Sequence, residues 1–488
     1  MNRVVATPRK IYAVVAALGI TTAILIAQPA NAGVVAADVG GAGNPTAWAD
    51  FDGDGLPDVA LAAQAGVDRR HWPVALGVQY GSGVSETISS TKHSSDLLSS
   101  VVADFNGDGY DDLAAGLAVY RPDSGRPLVT WVWNGSANGL TFSTKILPGQ
   151  YPNFAGLRMH DLSRELEAGD LDGDGDDELI SYDDSAKTPQ GCGATSLCWI
   201  DTGAIAVIPG NAHGLRPARA RVTAGWVDGA GKTQVLCGWS CSLEIADVTG
   251  DGLADAILPG NVDLTLLPGS GRKKIGQLPG SQLDAYRVCT DLGGDPGTDG
   301  HFKGFGTAAV VQSSATGPAQ IALLDPCFVD GQPASGTIAV ATIQSAALSG
   351  IVPFVAFGAP IGQARVTDVD NDGAEDLAVR VGATVKLPDG SVEVVFGGPE
   401  GWPGSAIPGL RLQTVDAADA GVKSGWLIGV HENDGYGGLV ALSEDLSLRF
   451  VPGSASGLDA QAGSTVSVSD FINPAYGDPV VREFISRH

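Results

Sequence analysis

Carboxylates recur in this sequence at alternate positions of one nine-residue pattern, Asp-x-Asp-x-Asp-Gly-x-x-Asp, and oxygen donors at that spacing can surround a hard cation. The first copy holds Asp50, Asp52, Asp54 and Asp58 around Gly55. The second holds Asp104, Asn106, Asp108 and Asp112, and the third Asp170, Asp172, Asp174 and Glu178. In the fourth, Asp247, Asp251 and Asp255 are kept while Thr249, a poorer ligand, takes the third position. The fifth holds Asp368, Asp370, Asp372 and Asp376. Ca2+ takes six to eight oxygens at about 2.3–2.6 Å, whereas Mg2+ demands near-ideal octahedral geometry and keeps several waters. Positions 1, 3, 5 and 9, with the backbone carbonyl of position 7, supply a calcium shell, and Gly at position 6 permits the sharp turn. Asp and Gly also dominate ordinary turns. Retention of an acid at position 9 in all five copies points to calcium instead, at about five sites.

Two further copies are degenerate. At 291–299, Asp291, Asp295 and Asp299 keep positions 1, 5 and 9, but Gly293 takes position 3 and Pro296 replaces the turn glycine. At 430–438, Glu432, Asp434 and Gly435 keep positions 3, 5 and 6, but Val430 and Gly438 replace the outer carboxylates.

The elements around the loops are strands. An EF-hand would need a bidentate Glu at position 12 and flanking helices; position 12 here is Leu61, Ala115, Ser181, Leu258 or Val379. Short apolar runs such as Leu113-Ala114-Ala115 and Leu377-Ala378-Val379 follow the loops, so each loop joins two strands of a hairpin. A second element recurs after most loops, a β-rich run ending in Gly and a polar turn, as in Trp131 to Leu140, Ala206 to Leu215, Val394 to Trp402 and Phe450 to Leu458. The loops recur about every 63 residues, and that period with about four strands per unit is the signature of a β-propeller. The expected architecture is all-β: one seven-bladed β-propeller over residues 33–488, with Thr465 to Val468 and the tail beyond pairing with the first blade.

With these loops the sequence resembles the FG-GAP/VCBS repeat family, whose best-known member is the seven-bladed head of integrin α subunits. The resemblance covers essentially all of residues 33–488. It implies calcium held between two strands of a blade by the positions named above. The Phe-Gly…Gly-Ala-Pro signature that names the family is eroded; Gly358-Ala359-Pro360 precedes a loop instead of following one.

Composition narrows the function. The chain has 29 Lys and Arg against 55 Asp and Glu, a net charge of −26. Phosphate binding needs Lys and Arg, so nucleic acid is not an expected partner. Eighteen of the 55 acidic residues occupy the loop positions above. Gly, at 68 of 488 residues, is about twice its average usage, which disfavours helical bundles and suits many tight turns.

Residues 1–32 read as a secretory signal peptide. Arg3, Arg9 and Lys10 form the basic region, Ile11 to Ala27 is uncharged and apolar, and Ala30-Asn31-Ala32 fits a cleavage site. An uncleaved anchor is the rival reading. After cleavage no transmembrane anchor is expected, since the apolar stretch from Ala346 to Gly362 is broken by Pro353 and Pro360. Secretion is the expected localisation. The six cysteines, Cys192, Cys198, Cys237, Cys241, Cys289 and Cys327, read as disulfides, with pairing 192–198, 237–241 and 289–327 preferred among 15 possibilities. A zinc site at Cys237-x3-Cys241 ranks below them.

Three functions compete. The first is an extracellular module that binds a protein or carbohydrate ligand without catalysis, through loops carrying Arg69 to Trp72, Trp131 and Trp133, Tyr182 to Trp199, Trp226 to Trp239, or Trp402. For each tryptophan, packing between blades is the plainer expectation. The second is an extracellular hydrolase or lyase on the same scaffold, for which no Gly-x-Ser-x-Gly or His-Glu-x-x-His motif argues. The third is a structural or adhesive role at the cell surface.

Overall fold

The computed structural model describes residues 26–27, 34–35, 49–55, 58–64, 74–80, 82, 84–90, 95–119, 128–147, 165–183, 186–191, 197–201, 203–228, 230, 233–234, 236, 242–260, 263–271, 275, 280–284, 289, 308–311, 319–324, 336–359, 361–382, 390–398, 402, 411–416, 427–431, 436–442 and 447–467. Among these residues the regular structure is almost entirely strand.

Among the described residues seven sheets follow one another along the chain, and from the second onward the strands of each pair in chain order. The first contains Val59–Gln64, Val74–Gln79 and Ser85–Ser90, with the two-residue strands Ile26–Ala27 and Val34–Val35 at its edge. The second runs Ser95–Ala103, Asp112–Val119, Leu128–Asn134 and Thr141–Ile146. The third runs Glu165–Gly169, Glu178–Asp183, Ala204–Ile208 and Arg221–Thr223. The fourth is Glu244–Ala246, Asp255–Pro259, Asp263–Leu267 and Ser281–Asp284. The fifth is Ala308–Val311, Gln320–Leu324, Thr337–Gln344 and Ala347–Ala356. The sixth is Ile361–Thr367, Asp376–Val381, Ser391–Val395 and Leu412–Asp416. The seventh is Leu427–His431, Gly437–Leu442, Ser447–Val451 and Ser464–Ser467. Two small hairpins, Lys187–Gly191 with Leu197–Asp201 and Trp226–Val227 with Thr233–Gln234, stand outside these sheets.

The core is divided into six apolar layers, one between each consecutive pair of sheets. The strand Asp112–Val119 shows why its sequence is a continuous apolar run instead of an alternating one. Leu113, Ala115, Leu117 and Val119 face the first sheet, while Ala114 faces the third. Both faces of the strand are dry, as in any sheet covered on both sides. From the second sheet to the seventh, the first strand of each sheet packs against the first strand of the next. Among the described residues no helix is long and apolar enough to cross a membrane.

The fifth sheet changes where its loop lies. Residues 291–299 are outside the described residues. The hairpin at the matching place joins Ala308–Val311 to Gln320–Leu324, with Val311 paired to Gln320 as Gly169 is to Glu178. By that register the loop spans 312–320, where the sequence has no carboxylate but keeps Gly317 at position 6. In the seventh sheet Val430 pairs with Gly438 and His431 with Gly437. Val430 and Gly438 are ladder residues there; Glu432, Asp434 and Gly435 lie outside the described residues.

Cys289 is buried. Cys198 lies on a described strand whose side chains are not described. Cys192, Cys237, Cys241 and Cys327 lie outside the described residues, so no pairing between cysteines is on view.

Candidate metal centres

Four of the five acidic loops sit between the first and second strands of a sheet, the first loop leads into Val59–Gln64 from an isolated bridge at Ala49, and all five share one construction. The residue before each loop pairs with position 9: Ala49 with Asp58, Ala103 with Asp112, Gly169 with Glu178, Ala246 with Asp255, and Thr367 with Asp376. The first Asp accepts the N–H of the position-6 glycine every time, at 3.0 Å from Gly55 to Asp50, 2.8 Å from Gly109 to Asp104, 3.1 Å from Gly175 to Asp170, 2.8 Å from Gly252 to Asp247 and 2.9 Å from Gly373 to Asp368. Those glycines have φ between 76° and 87°, a region that side chains with a Cβ rarely enter. Carboxylates at positions 3 and 5 accept N–H groups two residues on, as Asp52 does from Asp54 at 3.2 Å and Asp372 from Ala374 at 2.9 Å.

Position 2 anchors each loop. Phe51, Phe105, Leu171, Val248 and Val369 are all buried, and each plugs the apolar layer shared with the next sheet. Position 9 is buried beside them. One oxygen of each position-9 carboxylate accepts the position-2 N–H, at 2.7 Å for Phe51 to Asp58, 3.1 Å for Phe105 to Asp112, 3.1 Å for Leu171 to Glu178, 3.0 Å for Val248 to Asp255 and 2.8 Å for Val369 to Asp376. In three sheets the other oxygen accepts the N–H of a glycine that ends the third strand: Gly135 to Asp112 at 2.8 Å, Gly269 to Asp255 at 2.7 Å and Gly397 to Asp376 at 2.7 Å. In these three sheets the second sequence repeat thus caps the carboxylate of the first.

Geometry converges in three loops. Ligand oxygens of Asp50, Asp52 and Asp58, of Asp170, Asp172 and Glu178, and of Asp368, Asp370 and Asp376 lie within 4.8 Å of one another in each group. Asp54, Asp174 and Asp372 stand on the same loops. In the other two loops, Asp104, Asn106, Asp108 and Asp112, and Asp247, Asp251 and Asp255, are bound into the same internal hydrogen-bond pattern.

Burial, with crowding of like charge as the lesser cause, raises the carboxyl pKa values of these loops. Burial, then repulsion from Asp104 and Asp108, takes Asp112 to about 8 against the N–H bonds from Gly135 and Phe105. Burial takes Asp376 to about 8, with Asp370 and Asp368 adding repulsion. Burial raises Asp255 to about 6, opposed by bonds from Gly269 and Thr249. Asp52, Asp368 and Asp370 are raised chiefly by burial. The donor set suits a hard divalent cation: Asp50 Oδ1 and Asp370 Oδ1 are buried oxygens with no hydrogen-bond partner, inside two of the convergent groups. Buried acceptors of that kind are costly unless something fills them, and a cation would also offset the crowding.

Consecutive loops are joined, which the spacing of ligands did not foretell. Asp50 N–H donates to Asp111 Oδ2 at 2.7 Å, and Asp111 N–H donates back to the Asp50 carbonyl at 3.2 Å. Asp104 and Asp177 repeat the pair at 3.1 and 2.9 Å. The backbone half persists elsewhere, from Ala254 to Asp170, Ala319 to Asp247 and Gly437 to Asp368. Burial raises Asp111, and raises Asp177 to about 7, with neighbouring loop carboxylates adding to both. The available signal was an extra Asp at position 8 in the second and third copies only.

Of the tryptophans expected to pack or to bind, Trp133 is fully buried. Trp402 is 2% exposed, donates its indole N–H to the Phe396 carbonyl at 3.0 Å and lies 5.2 Å from the Phe354 ring. Trp131 is half-buried; the edge-on ring of Phe142 lies 6.0 Å away and Lys145 Nζ 5.8 Å from its centre. The side chains of Trp72, Trp199, Trp226 and Trp239 are outside the description.

The FG-GAP-like repeat family matches residues 50–115 and 104–181, which span the first three loops. No curated protein matches the chain. Among solved structures it is similar to a lectin from Agrocybe aegerita that recognises non-reducing terminal N-acetylglucosamine, at 12% identity, 83% of this chain, 90% of that chain and a TM-score of 0.42. It is also similar to the exotype rhamnogalacturonan lyase YesX, at 13% identity, 89% and 76% coverage and a TM-score of 0.42. A third is the rhamnogalacturonan lyase YesW, at 11% identity, 86% and 90% coverage and a TM-score of 0.31. The FG-GAP-like repeat match thus lies on the first three of the repeated acidic hairpins, within residues 50–181.

Proposed function

We propose that this chain is an exported, calcium-binding, seven-bladed β-propeller that serves as an extracellular binding module for a protein or carbohydrate ligand. One observation carries the reading: seven sheets in sequence share six apolar layers and, from the second onward, pack first strand against first strand. Blades around a common axis produce that arrangement. Each sheet cannot bury both faces alone, so residues 33–488 act as one domain after loss of the segment 1–32.

Calcium supplies the charge that the loops lack, and the chain's own residues hold it. Asp50, Asp52, Asp54 and Asp58 serve the first site, and the matching residues serve the other four. The ligand-binding face remains solvent-exposed on such a scaffold. Phe142, 52% exposed beside Trp131 and Lys145 on the second sheet, forms an aromatic and cationic surface suited to a sugar ring or a protein anchor.

The test is a glycan array and an extracellular-protein pull-down with the wild type and Phe142→Ala, each with calcium and with chelator. Calcium-dependent capture by the wild type supports a binding module, and its loss in the variant places the contact. Turnover of a polysaccharide or ester by the purified chain, with no capture, overturns the reading in favour of an enzyme.

A further inference from the structure

In the sixth sheet a cation of the chain itself reaches into the acidic loop. The Arg411 guanidinium pairs with Asp370 Oδ2, the position-3 carboxylate of the 368–376 loop. It is held there from two other sides. Its Cζ lies 3.8 Å from the centre of the buried Phe396 ring, and its Nη2 donates to the Ala455 carbonyl of the seventh sheet at 3.4 Å. Phe396 N–H donates to the Arg411 carbonyl at 3.2 Å, which fixes the backbone from which the side chain departs. In the second sheet the matching register position, opposite Asn134, belongs to Thr141, which is short and uncharged. Arg411 is 43% exposed at its side chain and Asp370 is 7% exposed. The guanidinium therefore has a way out to solvent, while the carboxylate does not.

We propose that Arg411 is a tethered competitor cation, which lowers the calcium affinity of the 368–376 loop relative to its affinity without the arginine. The inference rests on the calcium reading of the loops. A divalent ion that uses Asp370 must either displace the guanidinium or bind beside it. At a separation of about 5–6 Å and close to the screening of water, one positive charge weakens binding of a divalent ion by roughly tenfold. The same contact supplies part of the missing counter-charge when calcium is scarce, so this loop keeps its shape at calcium levels where its metal has left.

The experiment is calorimetric titration of the full chain with calcium alone, for the wild type, Asp370→Asn, Arg411→Met and Arg411→Lys. Asp370→Asn removes or strongly weakens one binding component and so identifies the sixth-sheet site. Arg411→Met keeps an apolar stem over Phe396; the identified component tightens about tenfold and the others stay unchanged. Arg411→Lys keeps the charge and stays near the wild type. Melting in chelator is a second readout: Arg411→Met melts below the wild type, and saturating calcium closes the gap. A component that Arg411→Met leaves unchanged or weakens overturns this inference while leaving the calcium reading intact. A wild type that takes up no calcium overturns both.

Discussion

Asp50 and Asp111, 61 residues apart, exchange two hydrogen bonds: the Asp50 amide donates to the Asp111 carboxylate at 2.7 Å, and the Asp111 amide donates to the Asp50 carbonyl at 3.2 Å. A loop that would hold a metal in one sheet is thus braced by the loop of the next. Asp111→Ala removes the side-chain half and leaves the Asp50 N–H without its acceptor in a partly buried place. The expected loss is about 1–2 kcal/mol of unfolding free energy. Position 8 itself tolerates alanine, because Ala254 stands there in the fourth loop and still donates to Asp170 at 3.2 Å. Denaturant unfolding in calcium checks this, and a change within the error of the wild type removes the brace from the account.

Calcium removal should lower the melting temperature, by mass action. Each site at a calcium level of 100 times its dissociation constant contributes about 2.7 kcal/mol. Asp54→Ala should weaken the first site and leave the other four. An unchanged melting temperature in chelator contradicts a structural role for the ion.

The pH dependence in chelator has a definite sign. In the folded chain Asp255 titrates at about 6, and Asp112 and Asp376 at about 8, all above the ordinary carboxylate range. The folded state then holds protons that the unfolded state has released, so its stability falls as pH rises from about 4 through 8. Calcium bound at the loops would oppose the fall by neutralising the same carboxylates. Melting curves at pH 5, 6.5 and 8 should therefore decline in chelator and flatten, or reverse, in saturating calcium.

Gly135 tests the link between the two sequence repeats. A Cβ at this position would run into the backbone carbonyls of Asp111 and Phe51 and the Cβ of Tyr110. Two of those contacts are backbone, which cannot swing aside. Gly210, Gly269 and Gly453 make the same close approach in other sheets. Gly135→Ala should cost about 1–3 kcal/mol, the usual range for overpacking a dense site. Equal stability of variant and wild type by chemical denaturation would mean that the turn moves freely.

The acidic loops were legible because coordination would demand particular side chains at particular spacings, and Asp368, Asp370 and Asp376 are among the groups that converge. The braces were not legible. Asp111 and Asp177 look like solvated charges until the neighbouring sheet places an N–H against each. The fifth unit shows the limit of following carboxylates. Asp291, Asp295 and Asp299 have the spacing, yet strand register assigns the hairpin to 312–320, which has none. What builds that hairpin is apolar: Val311 and Ile321 are fully buried and Ala319 nearly so. The strands Ala308–Val311 and Gln320–Leu324 are thus held together by their apolar cores without an acidic connection between them. Tryptophans followed the plainer expectation at Trp133 and Trp402, where large rings fill space between sheets.

Asp263 and Asp284 form a like-charge pair outside the acidic loops, opposite each other on the third and fourth strands of the fourth sheet. Burial, with repulsion from Asp284, raises the Asp263 carboxyl to about 6. Like charges directly across a strand pair are destabilising, by roughly 0.2–1 kcal/mol. The sign follows from the raised folded value: the contribution is favourable below about 4 and is lost as pH rises through 6. Asp263→Asn keeps the shape of the side chain and removes the charge. It should stabilise the chain by about 0.5 kcal/mol at pH 7.5 and by nothing measurable at pH 4. Asp284→Asn should give a gain of the same sign by relieving the same repulsion. The two gains should not add, since either substitution alone abolishes the pair. Urea unfolding of both single variants and the double variant at pH 7.5 measures the coupling, and fully additive gains would show that each carboxylate is strained by its own surroundings instead of by the other.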